Sequence, residues 1–264
     1  MPELPEVQAV VDSLNELINQ EIMAIEIRAD VVMPSKTEFT NCIVGKNIKS
    51  ITRRGKYIII QLDDAYLVVH LRMTGKLYLS ADNVTKKHTH VVIKTTNNFL
   101  IFEDTRRFGR LEILTDLTKI EKKLGFEPFD KKLDNDSMHQ IINKNKNIKA
   151  LLLDQSLIAG IGNIYADEIL FKAKINPETT GKSLTLIDVS KILQSTREIL
   201  DQAIKNKGTT IINFSYAGDQ KGAFVKNLKV YKRAKLECFE CSDVIATKKI
   251  AGRTTHFCPT CQTI

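Results

Sequence analysis

The chain has 264 residues, of which 43% are hydrophobic, and a formal net charge of +8. That length allows one large domain or two ordinary ones with a sizeable core. No apolar run is long enough to span a bilayer and no secretory leader precedes the first amphipathic segment, so a cytoplasmic protein is expected.

The excess charge is uneven. Residues 201–264 carry eleven Lys/Arg against five Asp/Glu, a balance of +6, and the first 200 residues carry only +2. A basic C-terminal quarter points to an anionic partner, nucleic acid first among them.

The chain opens Met1-Pro2-Glu3-Leu4-Pro5-Glu6. With Met1 removed, Pro2 has a free secondary amine with a pKa of about 8, partly neutral near pH 7. Such an amine can attack a carbon of carbonyl character and form an iminium. Proline here also suits the first turn of a helix. Residues 5–18 are predicted to form that helix, with Val7, Val10, Val11, Leu14, Leu17 and Ile18 on one face.

Residues 22–114 turn to strand pattern. The runs 56–62, 66–71, 90–93 and 99–102 are β-branched or aromatic, and polar turns at Asp63-Asp64 and Asn97-Asn98 separate them. Their spacing predicts an antiparallel sandwich. Residues 116–136 read as a charged connector and domain boundary. Helical pattern follows over 137–143, 148–154, 164–173 and 184–206. Gly160-Ile161-Gly162-Asn163 interrupts it as a tight turn whose N–H groups make an anion site. Asn163 either caps the next helix or touches a phosphate. Residues 208–230 read as a loop with Gly208, Gly218 and Gly222.

Cys42 stands alone, as a small buried hydrophobe would. The other four cysteines form Cys238-x2-Cys241, sixteen residues, and Cys258-x2-Cys261. This spacing predicts a four-thiolate, structural Zn²⁺ site. Two disulfides or a redox pair fit a cytosolic chain less well. The spacer predicts two strands, 244–247 and 254–257, with a turn at Ala251-Gly252-Arg253 that presents a cation to phosphate.

Five blocks in order resemble the formamidopyrimidine-DNA glycosylase family. They are Pro2-Glu3-Leu4-Pro5-Glu6-Val7, Asp104-Thr105-Arg106-Arg107-Phe108-Gly109, the stretch from Gly160 to Glu168, Gly208-Thr209-Thr210, and the four-cysteine finger with Gly252-Arg253. The resemblance implies a base-excision repair enzyme: an N-glycosylase for oxidised purines (8-oxoguanine, formamidopyrimidines) that is also an abasic-site lyase. It implies an α+β chain: an N-terminal antiparallel β-sandwich with flanking helices over 1–115 and a linker over 116–136. A helix–two-turns–helix domain with a lesion-capping loop would cover 137–230, and a zinc-finger hairpin 231–264. DNA would lie in the cleft between the halves. It further implies one structural Zn²⁺, no organic cofactor, no membrane, and a monomer acting on double-stranded DNA with an oxidised base.

Mapped by motif, the resemblance makes Pro2 the nucleophile, Glu3 the acid/base group and Glu6 a supporting carboxylate. Lys56 and Arg253 join the catalytic set by gripping phosphate, with Asn163 beside Arg253. Met73 would be the wedge, completed by Arg106 and Phe108, and His90 is counted among the DNA contacts. Gln8, Ser156 and Ala223 stand where the family commonly has glutamate, lysine and an aromatic. Residues 215–224 match the capping loop in length but not in composition. The opening Pro-Glu-Leu-Pro differs from the Pro-Glu-Gly-Pro usual in the endonuclease VIII branch, the nearest alternative. A non-catalytic zinc-finger DNA-binding protein is the other.

Overall fold

A computed structural model describes residues 1–29, 36–83, 86–210, 215–217 and 220–263. The first helix, α1 (Leu4–Ser13), starts at the proline-rich opening, with Glu3 as extended N-cap. It is shorter than the apolar periodicity predicts. The Ser13 hydroxyl bonds back to the Val10 carbonyl at 2.7 Å, and the chain tightens into a 3-10 turn at Asn15–Leu17. Side chains that compete for nearby backbone groups end helices in this way.

Strand β1 (Ile22–Ile27) is followed by a helix, α2 (Lys36–Ile43), inside the stretch read as strands. Phe39 and Ile43, four apart and fully buried, anchor it. Then come β2 (Ser50–Arg54), β3 (Tyr57–Gln61), β4 (Tyr66–His70), β5 (Gly75–Ser80), β6 (Thr89–Thr95), β7 (Phe99–Asp104) and β8 (Arg110–Leu114). They form two antiparallel four-stranded sheets, ordered β1-β6-β7-β5 and β2-β3-β4-β8. Helix α1 lies against β2, β3 and β5, touching both. The core joins Val7, Val10 and Leu14 of the helix to Ile58, Ile60, Val69, Leu77, Val91 and Phe102 of the strands. Cys42 packs against its edge and is half-buried rather than fully buried as expected.

The remaining elements are α3 (Thr118–Glu121), α4 (Asn135–Ile142), α5 (Ile148–Leu153), α6 (Asn163–Ala173), α7 (Leu186–Lys205), β9 (Ala246–Ile250) and β10 (Arg253–Phe257). Helix α3 is a single turn inside the expected linker. Helix α4 begins earlier than its apolar pattern, because the Asp134 side chain caps it by accepting the Ser137 N–H at 2.9 Å. Between α5 and α6 the Gln155 amide holds the turns together. Its Nε2 donates to the Leu153 and Ile161 carbonyls at 2.9 and 2.8 Å, and its Oε1 accepts the Gly160 N–H at 2.9 Å.

By internal contact the chain divides into two units, residues 1–120 with 204–225 and residues 121–203 with 226–264. This differs from the linear segments expected at 115, 136 and 230. Residues 204–225 join the N-terminal unit because Glu6 of α1 binds the Thr209 backbone. The finger shares a core with α6, in which Phe171 packs with Val230, Cys238, Ile245 and Cys258. The fold is thus a mixed α and β chain with antiparallel sheets, as the sequence predicts. Among the described residues no helix is long and apolar enough to cross a membrane.

Candidate active site and nucleic-acid-binding residues

In the N-terminal unit, Pro2 and Glu3 are buried at the mouth of α1, behind an exposed Met1. The Glu3 N–H donates to Glu6 Oε2 at 2.8 Å, and the Thr209 N–H donates to Glu6 Oε1 at 2.6 Å. Glu6 is buried, and two N–H donors are what a buried carboxylate requires. The neighbouring Gly208 has φ +79°, and a Cβ on it would stand 2.6 Å from Glu6 Oε1. This motif therefore needs glycine twice, for its backbone angle and for the room Glu6 takes.

Gly222 closes the base of the loop that follows. Its N–H donates to Thr210 Oγ1 at 2.8 Å, and a Cβ there would meet the Gly208 carbonyl oxygen at 2.2 Å. Of the expected capping loop 215–224, residues 218–219 lie outside the described residues, as do 211–214 before it. Ala223, where an aromatic is common, is exposed and pairs with Thr209.

Lys56 occupies a two-residue hairpin turn between β2 and β3, rather than the strand its run predicts. Gly55 precedes it at φ +55°, the positive angle that a type II′ turn requires first. Across the sheet from Tyr57 is His70, a residue the sequence reading did not single out. Its ring meets Tyr57 edge-on at 4.7 Å, and its Nδ1 accepts the Arg72 N–H at 3.0 Å. Burial, then the charges of Arg72 and Lys56, push its pKa down to about 3, so it is neutral near pH 7. The signal for it was the register of two strands meeting beside Lys56, which one sequence does not display.

Met73 and Phe108 are exposed, at 44% and 50%. Arg106 joins them: its Nη1 lies 3.2 Å from Met73 Sδ and its guanidinium 4.8 Å from the Phe108 ring. His90 does not stand with them at the surface. It is only 2% exposed, and its Nε2 lies 2.6 Å from the Asp104 carbonyl oxygen. The register of β6 on β7 shifts between Thr89 and Val91, at His90 itself, and the buried imidazole there serves the end of β7 instead of meeting solvent.

In the second unit, Asn163 is the first residue of α6 and Gly162 is its N-cap, so Asn163 does not cap the helix. Its Nδ2 donates to the Thr254 carbonyl at 3.0 Å, next to Arg253. Arg253 itself is exposed and pairs with Ile250, closing a two-residue turn of Ala251 and Gly252 at φ +48° and +72°. The cation therefore starts β10 instead of sitting in the turn.

Below these residues Lys149, wholly buried, donates to Asp167 Oδ1 at 2.5 Å and to Thr255 Oγ1 at 2.7 Å. Asp167 Oδ2 accepts the His256 N–H at 2.9 Å. Glu168 accepts the N–H groups of Lys229, Val230 and Tyr231 at 2.8, 3.0 and 2.8 Å. Burial raises its pKa, and the three donors oppose the rise. His256 is thus bound to Asp167 through its backbone N–H, and its Nδ1 lies 3.1 Å from the same Oδ2.

The four Sγ atoms of Cys238, Cys241, Cys258 and Cys261 lie within 4.8 Å of one another, with pairs at 3.9 and 3.4 Å. A tetrahedral Zn²⁺ with bonds of about 2.3 Å sets its sulfurs about 3.8 Å apart, so the donor set fits the ion in chemistry and spacing. Burial and the neighbouring sulfurs push the Cys261 thiol up to about 12. A divalent ion reverses that by stabilising thiolates.

Residues 1–111 match the family model of the formamidopyrimidine-DNA glycosylase N-terminal domain, and residues 124–215 the formamidopyrimidine-DNA glycosylase H2TH domain. Residues 236–264 match the zinc finger found in FPG and IleRS. The chain belongs to the formamidopyrimidine-DNA glycosylase family. It is 40% identical over 275 residues to the formamidopyrimidine-DNA glycosylase of Pelotomaculum thermopropionicum, covering all of both chains. To that of Ureaplasma parvum it is 40% identical, covering 99% of this chain and 100% of the relative.

Among solved structures it resembles wild-type Lactococcus lactis Fpg in complex with DNA containing N7-benzyl-Fapy-dG. The TM-score is 0.92 at 38% identity, with both chains fully covered. It also resembles the same organism's Fpg bound to DNA containing an abasic site, at TM-score 0.91 and 38% identity, covering 99% and 100%. The family consists of DNA repair glycosylases that act on oxidised purines and carry abasic-site lyase activity, with a structural zinc finger.

The departures from the family pattern have local partners. Gln8 takes the Arg53 Nε–H on its Oε1 at 3.1 Å and donates to Asp12 at 2.8 Å. The Ser156 hydroxyl donates to Asp154 at 2.6 Å, which fixes a turn in place of a long cation.

Proposed function

We propose that the chain excises 8-oxoguanine and formamidopyrimidines from duplex DNA and then cleaves the strand, with Pro2 as nucleophile. The observation that carries this reading is the clamp of Glu6 on the Glu3 and Thr209 N–H groups. It holds the residue after Pro2 rigidly at the start of a buried helix.

A target base stacked in duplex shields C1′ of its sugar, so the nucleotide must first be extruded, at a few kcal/mol. Met73 fills the vacated stack as an apolar wedge, with Phe108 beside it. Arg106 offers donors to the widowed partner base. Lys56, Asn163 and Arg253 grip the flanking phosphates. His70, neutral beside Lys56, adds a hydrogen-bonding ring rather than a charge.

The Pro2 nitrogen then gives its electron pair to C1′. The glycosidic bond breaks, its electrons leaving with the base, and the Pro2 nitrogen sheds its proton, which the departing base takes up. Glu3 protonates the ring oxygen, the sugar opens, and a cationic iminium remains between Pro2 and C1′. The iminium acidifies C2′. Loss of that proton expels the 3′ phosphate, and a second elimination expels the 5′ phosphate. Water finally hydrolyses the iminium and frees Pro2. All these groups come from one chain, which suits a monomer working on DNA in a bacterial cytoplasm.

Borohydride trapping on a duplex with one 8-oxoguanine opposite cytosine tests the reading. Protein lacking Met1 should form an adduct that maps to Pro2, and protein retaining Met1 should form none, because its Pro2 nitrogen is an amide. No adduct from Met1-free, zinc-loaded protein would sink the mechanism. Arg253→Ala should weaken DNA binding and flatten its salt dependence by roughly 0.9 in log–log slope for the lost phosphate contact.

A further inference from the structure

Asp104 ends β7, is completely buried, and receives donors on both carboxylate oxygens. Its Oδ1 accepts the Thr74 hydroxyl at 2.5 Å and the Arg106 N–H at 3.0 Å. Its Oδ2 accepts the Gly109 N–H at 2.7 Å. The same Arg106 N–H also reaches Thr74 Oγ1 at 3.3 Å. The Asp104 main chain is held from the other side, where its carbonyl meets His90 Nε2 and its N–H donates to the His88 carbonyl at 3.0 Å.

Three donors on a group that accepts only is a demand for a carboxylate. An amide would turn one acceptor into a donor facing a donor.

The two segments joined here are the two that carry the exposed trio. Thr74 follows Met73, and Arg106 and Phe108 lie between Asp104 and Gly109. Each segment also contains a residue in the left-handed region, Arg72 at φ +55° and Arg107 at φ +56°. Non-glycine residues keep such angles only where surrounding bonds fix them. A turn-forming aspartate would need only its own Arg106 and Gly109 contacts. The bond to Thr74, thirty positions away, does something else: it fixes the distance between the Met73 loop and the Arg106–Phe108 loop.

We infer that Asp104, acting through Thr74, is a positioning residue for base extrusion, setting Met73 against Arg106 and Phe108. The inference rests on the proposed wedge role of those three residues. Asp104 and Thr74 touch no reacting atom. Their loss should therefore slow the step that needs a wedge more than the chemistry at C1′.

Thr74→Val and Asp104→Asn are compared with wild type in single turnovers at saturating enzyme, so that weakened binding does not enter. One duplex carries 8-oxoguanine and the other a preformed abasic site, which has no base to unstack. Base excision should fall roughly ten-fold or more, as expected of an ångström-scale misplacement, while abasic-site cleavage falls no more than about threefold. Adding Asp104→Asn to Met73→Ala should cost little further, because the two act on one step.

Equal losses on both substrates, no loss on either, or full additivity with Met73→Ala would overturn the inference. Thr74→Val removes a single hydroxyl and carries the test if Asp104→Asn does not fold. If Met73→Ala itself leaves base excision intact, the wedge reading falls and the inference with it. If Met73→Ala is selective and Thr74→Val is not, only the inference falls.

Discussion

Glu6 accepts N–H groups from Glu3 and from Thr209, the latter 203 positions away in the chain. Glu6→Ala would strand both donors in a buried site, at about 1–3 kcal/mol each. We expect a lowered melting temperature together with lost borohydride trapping. Gly208→Ala should do the same from the other side, because its φ of +79° and its contact with Glu6 both resist a Cβ. A protein as stable and as active as wild type would refute this.

His70 supports a pH prediction. Its folded pKa of about 3 lies below the ordinary value near 6.5. Between those values the unfolded chain binds the proton and the folded chain does not, so stability falls as pH drops. The gap in melting temperature between wild type and His70→Asn should therefore narrow from about pH 7 to about pH 4. A gap that stays constant or widens would contradict the burial of a neutral imidazole.

Helix α6 is the element on which the second unit turns. Asn163 at its start binds the carbonyl of Thr254, Asp167 binds Lys149 and the backbone of His256, and Glu168 binds the three N–H groups of 229–231. One helix thus holds both the approach to the finger and the strand that bears Arg253. Lys149→Ala should cost about 3–5 kcal/mol in denaturant unfolding, since it leaves Asp167 buried without its cation. The apolar pair Lys149→Met with Asp167→Leu should recover part of that loss. No recovery would show that the Thr255 and His256 bonds, rather than the ion pair, carry the energy.

At the scale of the whole molecule, the zinc finger is tied by sulfur and by α6. Removing Zn²⁺ with a chelator should release the four sulfurs and raise hydrogen exchange in β9 and β10, because metal binding supplies folding energy in such modules. Exchange in the sheets of the N-terminal unit should stay slow. Unchanged exchange in the finger would mean that the Phe171 core and the α6 carboxylates suffice without the ion.

The metal site was legible because spacing alone brings two Cys-x2-Cys pairs to one ion, a local constraint. The helices and most strands were legible for a similar reason, since periodicity is local. The α2 helix escaped because the strand pattern of its neighbours outweighed two buried anchors, Phe39 and Ile43. Asn163 read as a cap or a phosphate contact, with capping the commoner case, and only the Gly162 cap removed that reading. His90 and His70 are both strand histidines, and without register the sequence carries no mark that both are buried.

The sequence by itself determined the family and the thiolate set. Those depend on residue identity at short spacing. The tertiary structure alone decided that Glu6 grips Thr209, that Asp104 joins two loops, and that residues 204–225 belong with the first 120. Each depends on backbone groups meeting across long stretches of chain, where burial makes an unpaired donor costly and so selects the partner.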